Sequence, residues 1–383
     1  VDEIPPALPD EPSWSDVADH VLHLEGFTDF EREKLRRSIR RLDDSLGPQT
    51  TSIRTLYSLV HNYAPWTRFH LAHLSDDLHD AAGMGNFQQL QQRLREEARF
   101  AEARSVLGVA ARLGRTGFDV SFDTPVRVHG NQKIPDIAAI WRRTGDRIVV
   151  EVSSLGPSRE EEETWRSFRA VTDLFWMDRD LAAAGRLKRT LSGAHLEVVL
   201  GEIRRLMERV RQTKQAEEFV RNDVLDLAVA PREDEVFLKL WKAQHGLTGT
   251  FEGPASSGDA LNRVMGKIRN EQKQLPHDEP SSIVLHVPLG TFGYMLSGVE
   301  LARIAARLEE TVFEFPHLFS VVLLSESLSI GKTEIVQQHG GQVHFMRLPR
   351  KYVEESGLLL TNRLCELKMA LASITAWNRA FLG

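Results

Sequence analysis

Two acidic residues interrupt apolar runs in this chain: Asp136 in Ile134-Pro135-Asp136-Ile137 and Glu151 in Val149-Val150-Glu151-Val152-Ser153. A carboxylate buried without a partner is strongly disfavoured. Such a pair therefore asks for a metal ion, a base or a hydrogen-bond donor. If the two runs are adjacent strands, their carboxylates can share one divalent cation. A helix carrying Glu102 precedes both.

The elements that must position these residues are legible as punctuation and periodicity. A Pro-rich stretch through Pro12 reads as a mobile tail, 1–13. Residues 14–85 read as helical: Thr28 can cap a helix with Asp29 and Glu31 in its first turn, Leu46-Gly47-Pro48 can end it, and 51–62 and 65–80 continue the pattern. Gly83-Met84-Gly85 reads as a boundary. A long helix is expected over about 87–113, with Leu94, Ala98, Ala101, Val106, Val109 and Leu113 near one face, stopped by Gly114 and Gly117.

Four strands are expected next, at 118–122, 126–129, 134–141 and 147–153, separated by Asp123-Thr124-Pro125, Gly130-Asn131 and Thr144-Gly145-Asp146. Ser158 followed by Glu161 is a capping box, so a helix begins there, and helices are expected to dominate to Arg221. Strands at 224–230, 282–287, 319–324 and 342–346, with helical stretches between the later ones, give an α/β rhythm. The expected domains are a helical N-terminal region (14–85), a core at 86–230 and a C-terminal α/β region at 231–383 that can extend the same sheet.

The order helix with Glu102, strand, strand, strand with Pro135-Asp136, strand with Glu151-Val152-Ser153, helix resembles the core of the PD-(D/E)XK nuclease superfamily, which includes many restriction enzymes. The resemblance covers roughly residues 86–230. It implies a restriction-endonuclease-like mixed sheet flanked by helices. It also implies that Asp136, Glu151 and the Val152 carbonyl hold one or two Mg²⁺ or Mn²⁺ ions, with Glu102 adding a carboxylate. The implied activity is phosphodiester hydrolysis on DNA or RNA, in a setting such as genome defence.

The chain departs from the family at Ser153, where the motif carries a lysine. Strand alternation puts Val149, Glu151 and Ser153 on one face, so Ser153 occupies the lysine's place. Its hydroxyl can orient a water but brings no positive charge. Lys133, an odd number of residues from Asp136, points to the other face if that strand extends so far. Arg186 and Lys188 are the candidates to supply the charge, and with Arg189 they are the expected nucleic-acid contacts. Two functions remain: a metal-dependent nuclease, or an inactive nuclease-like fold serving as a nucleic-acid-binding or protein-assembly module. Mn²⁺ bound at Asp136 favours the first, and a basic side chain paired with Asp136 favours the second.

Composition narrows the setting. At 383 residues, 42% apolar and 27% charged, the chain has the makeup of a soluble globular protein with two or three domains. No stretch has the ~20 apolar residues of a membrane-spanning helix, and the start lacks a basic segment followed by an apolar one, so a cytoplasmic setting and no membrane partner are expected. Cys365 is the single cysteine, which excludes an internal disulfide framework and a thiolate-based zinc site. The formal net charge of -6 disfavours a sequence-indifferent binder of nucleic acid, though local basic patches can track phosphates. A homo-oligomer or protein partner stays open.

Other clusters have plainer readings. Residues 181–214 hold eight Lys or Arg against Glu197, Glu202 and Glu208, and these cations follow the expected site. Arg36, Arg37, Arg40 and Arg41 read equally as a solvated helix face. Arg263, Lys267, Arg269 and Lys273 read as surface. His70, His73 and Asp77, with His79 adjacent, lie on one helical face and can bind zinc, against a simple polar surface. Gly331-Lys332-Thr333 imitates a phosphate-binding loop, but Glu326 stands where that loop needs a glycine. Trp165, Trp176, Phe168 and Phe175 read as core packing.

Overall fold

The computed structural model describes residues 13–22, 29–47, 50, 56, 69–128, 130–156, 159–176, 178, 180–221, 223–247, 250–253, 260–287, 298–327, 337–338, 341–350 and 353–382. Two units divide the chain: Val1–Leu155 together with Asp259–Gly383, and Gly156–Gly258. The expected 86–230 core holds residues of both units, and its fourth expected strand, 147–153, pairs next with a strand beyond residue 258.

In the first unit, helices α1 (Trp14–Leu22), α2 (Asp29–Leu46), α3 (Phe69–Ala81), α4 (Phe87–Arg95) and α5 (Glu97–Arg115) precede the sheet. Leu35, Ile39, Leu42 and Leu46 form a buried stripe at helical spacing on α2, which ends at Gly47 with φ +79°. The helix expected over 87–113 is two helices, parted at Glu96, whose backbone is extended at φ -92° and ψ 118°. Residues 83–85, expected as a boundary, are tied to the first strand. The Gly85 N–H donates to the Val120 carbonyl at 3.0 Å and the Phe122 N–H to the Gly85 carbonyl at 2.9 Å. A Cβ at Gly85 would meet the Ser121 Cβ at 2.9 Å, so this approach requires glycine. The N-terminal helices share one core with the strands, from Trp14 and Leu35 through Phe118 to Ile137 and Val150.

Strands β1 (Phe118–Phe122), β2 (Val126–Val128), β3 (Asn131–Lys133), β4 (Ile137–Trp141) and β5 (Arg147–Ser154) follow. Among the described residues β2 and β3 pair only with each other, so Lys133 lies in a separate hairpin rather than on an extension of β4. The main sheet is continued by β10 (Ser281–His286), β11 (Leu318–Ser327), β12 (Gln337–Gln338), β13 (Gly341–Arg350) and β14 (Val353–Thr361). Its eight strands run in the order β1-β4-β5-β10-β11-β14-β13-β12. β1, β4 and β5 are antiparallel, β5, β10 and β11 parallel, and β14 and β13 antiparallel again: a mixed α/β sheet flanked by helices.

The two faces of β5 are distinct. Ile148, Val150 and Val152 pack with Val106, Leu107 and Val109 of α5. Val149 belongs to the opposite core, with Val264, Met265 and Ile268 of α9 (Ala260–Glu271), so alternation turns Glu151 and Ser153 toward α9. Helix α10 (Gly298–Phe313) precedes β11, and the C-terminal helix α11 (Leu371–Leu382) places Trp377 against Phe118, Phe319 and Phe381, its start held by Asp146, which accepts from the Ala370 N–H at 2.9 Å and the Ser373 hydroxyl at 2.5 Å.

The second unit holds α6 (Arg159–Trp176), β6 (Leu181–Leu187), α7 (Gly193–Thr213), β7 (Glu217–Arg221), β8 (Leu225–Pro231), α8 (Glu235–Gln244) and β9 (Phe251–Glu252). Its four-stranded sheet has the order β7-β8-β6-β9. β6 and β7 correct the expectation that helices run to Arg221. The alanine-rich Leu181–Leu187 segment favours helix by propensity, but pairing with β8 and β9 overrides it. β14 was likewise absent from the sequence reading. Among the described residues, no helix is long and apolar enough to cross a membrane.

Candidate functional site: a buried carboxylate cluster

Asp136 lies one residue before β4. The β4–β5 register pairs Ile137 with Val150, and continuing it sets Asp136 opposite Glu151, on the same face. Asp136 is buried and held at both oxygens. Oδ2 accepts the Val152 N–H at 3.0 Å, and Oδ1 faces Arg93 Nη1 at 3.3 Å. Arg93, itself buried, also meets Asp123 at 3.1 Å and Glu102 at 3.8 Å. Asp123 adopts φ +47°, and its N–H donates to the Asp136 carbonyl at 3.1 Å, which brings the β1 end to the site. Burial pushes the Asp136 carboxyl up to about 6, against the lowering effects of the Val152 N–H and Arg93.

Glu151, in the middle of β5, is buried between neighbouring strands, and its Oε2 has no hydrogen-bond partner among the described residues. Burial first, then the negative charges of Asp136 and Glu271, push its carboxyl up to about 9. These effects favour the protonated form of Glu151, and a bound cation would favour the ionised form. Glu102 is 60% exposed on its side chain and comes from the helix on the opposite face of the sheet. Its charge still raises both Asp136 and Glu151.

Glu271 carries no reading from the sequence, and Lys267, read there as surface, meets it at this site. The Ser153 hydroxyl donates to Glu271 Oε1 at 3.0 Å, across 118 positions of chain. Glu271 is 7% exposed at the end of α9, receives Lys267 Nζ on the same oxygen at 2.6 Å, and takes Gln274 Nε2 on Oε2 at 3.2 Å. Lys267 and Glu271 form an i, i+4 pair that reads as ordinary helix surface. Pairing of β10 with β5, Leu285 opposite Ser153, is what brings α9 here. The only sequence signal was an acid in a helix bearing Val264 and Ile268.

The other candidates are engaged by partners of their own. Arg186, Lys188 and Arg189 belong to the second unit, where they pair with Glu252 at 2.8 Å, Asp226 at 2.8 Å and Asp223 at 3.2 Å. Asp77 accepts from Arg115 at 2.6 Å and His70 meets Arg104 at 3.0 Å, so that helical face is turned to ion pairing. Phe175 stacks with Phe251 inside the second unit's core. Gly331-Lys332-Thr333 lies outside the described residues.

The donor set bears on which cation fits. Carboxylate and carbonyl oxygens are hard ligands, suited to Mg²⁺ or Mn²⁺. Among the described residues, no group of three or more His, Cys, Asp or Glu is arranged to hold a metal. Two carboxylates with backbone, water and substrate oxygens suffice for Mg²⁺, and the unpartnered Glu151 oxygen beside Asp136 fits such a set. No protein-family model matches the sequence, and no curated protein is significantly similar to it.

Proposed function

We propose that this protein is a divalent-metal-dependent nuclease of the PD-(D/E)XK type, hydrolysing phosphodiester bonds of DNA or RNA. The observation that carries this reading is Glu151: a buried carboxyl with an oxygen that has no hydrogen-bond partner among the described residues, raised by its burial and then by the charges of Asp136 and Glu271. Such a cluster has more negative charge than Arg93 and Lys267 balance, and a cation is the simplest complement. Asp136, Glu151 and the Val152 carbonyl would hold a Mg²⁺ or Mn²⁺ ion, with Glu102 at the exposed rim. When bound, that ion activates a water and offsets charge on the phosphate oxygens. The Val152 N–H and Arg93 orient Asp136, while the apolar residues of β4 and β5 keep its surroundings poor in water.

The experiment is Mn²⁺ calorimetry on the parent, Asp136→Ala and Glu151→Ala, with cleavage assays on linear duplex DNA, single-stranded DNA and RNA. The expected result is Mn²⁺ binding and cleavage by the parent and loss of both in each variant, with folding retained. Unchanged Mn²⁺ affinity in both variants overturns the assignment. One observation favours a second reading, a non-catalytic nucleic-acid-binding or assembly module: Asp136 already has Arg93 at 3.3 Å as a counter-charge. Binding of DNA or RNA by the parent with no Mn²⁺ affinity and no cleavage would select that module.

A further inference from the structure

We propose that Lys267 is the residue that meets the scissile phosphate, supplying from α9 the positive charge that Ser153 lacks on β5; this rests on the nuclease reading above. Three observations converge. The Lys267 ammonium and the Ser153 hydroxyl share one acceptor, Glu271 Oε1, at 2.6 and 3.0 Å, so the charge lies within two hydrogen bonds of the strand position where the resemblance expects a lysine. Glu271 is 7% exposed and is held by Ser153, Lys267 and Gln274, which fixes the ammonium rather than leaving it on a free stem. Lys267 is 31% exposed on its side chain, and one of its three N–H donors is used by Glu271. The others are open to an incoming phosphate oxygen.

The charge balance agrees with this role. The site is rich in carboxylates and would repel a phosphodiester; Arg93 is buried and committed to Asp123, Asp136 and Glu102. Arg186, Lys188 and Arg189 are paired within the other unit. Lys267 meets the cluster through Glu271, and its side chain is partly open to solvent. Glu271 and Ser153 are positioning residues: they act through Lys267.

The test separates this proposal from the metal reading. Binding of a short linear DNA duplex is measured over roughly 50 to 200 mM salt with Ca²⁺ in place of Mn²⁺, so that binding is read rather than cleavage, and Mn²⁺ affinity is measured by calorimetry. Lys267→Ala is expected to weaken DNA binding about tenfold and to lower the salt slope by about one, as for one lost phosphate contact, while Mn²⁺ affinity is retained or tightened. Lys267→Arg should keep the slope, and Ser153→Lys combined with Lys267→Ala should restore it, along with Mn²⁺-dependent cleavage. A purely structural role for Lys267 would lower Mn²⁺ affinity and would not be rescued from position 153. An unchanged slope in Lys267→Ala, failure of both rescues, or no DNA binding by the parent overturns the proposal. Failure of the metal reading shows instead in the calorimetry of Asp136→Ala, whatever the slope does.

Discussion

Burial and neighbouring negative charge push the Glu151 carboxyl well above the ordinary range, and the consequence is measurable. Its folded-state value is raised from 4.5 to about 9 and that of Asp136 from 3.8 to about 6, so the folded protein holds these protons more tightly than the unfolded chain. Their contribution to stability is fully present below the unfolded values and is lost as pH rises through the folded ones. In metal-free buffer with a chelator, stability to urea should therefore fall between about pH 4 and pH 9, and Glu151→Gln should flatten that fall. A rise in stability over the same window would refute the assignment. Arg93 makes a second residue-scale prediction. Removing it leaves Asp136 as a buried charge without its counter-charge, so Arg93→Ala should cost about 3 kcal/mol in denaturant unfolding. Arg93→Ala combined with Asp136→Asn should cost markedly less than the two single losses together, because the stranded charge is gone.

At the scale of elements, α11 is a clamp whose strength resides in one side chain. Trp377 is fully buried against Phe118, Phe319 and Phe381, at centroid distances of 6.5, 6.1 and 4.9 Å. Trp377→Ala should destabilise the protein by about 3–5 kcal/mol, read as a lower denaturant midpoint with little change in slope. The strands β1, β4 and β5 were legible in the sequence because turn residues bracket short apolar runs, and Asp136 and Glu151 were legible because charge within such runs is costly. β6 was not legible. Its alanines favour helix locally, and only Gly185, where a Cβ would meet the Asp226 carbonyl oxygen at 2.8 Å, hints at close strand packing. The break at Glu96 was hidden for a similar reason, since no glycine or proline marks it. Glu271 escaped, and Lys267 reads from sequence only as surface, because their placement beside Ser153 depends on a pairing more than a hundred residues away, which no local pattern encodes.

At the scale of the whole molecule, Gly156–Gly258 carries its own sheet and its own cores, one around Val171, Val199, Ile203 and Leu227 and another around Ala228 and Trp241. Expressed alone, this fragment should give mixed α/β circular dichroism and a cooperative urea transition; a spectrum of unstructured chain would refute its independence. The same insertion has a temporal consequence. β4 and β5, which carry Asp136 and Glu151, can pair as soon as they leave the ribosome, whereas Glu271 and Lys267 are synthesised only after the whole second unit. Closing that loop is an entropic cost met late, once β10 arrives to zip alongside β5. A nascent chain therefore holds Asp136, Glu151 and Arg93 long before Glu271 and Lys267, and its site stays chemically incomplete until β10 has paired with β5.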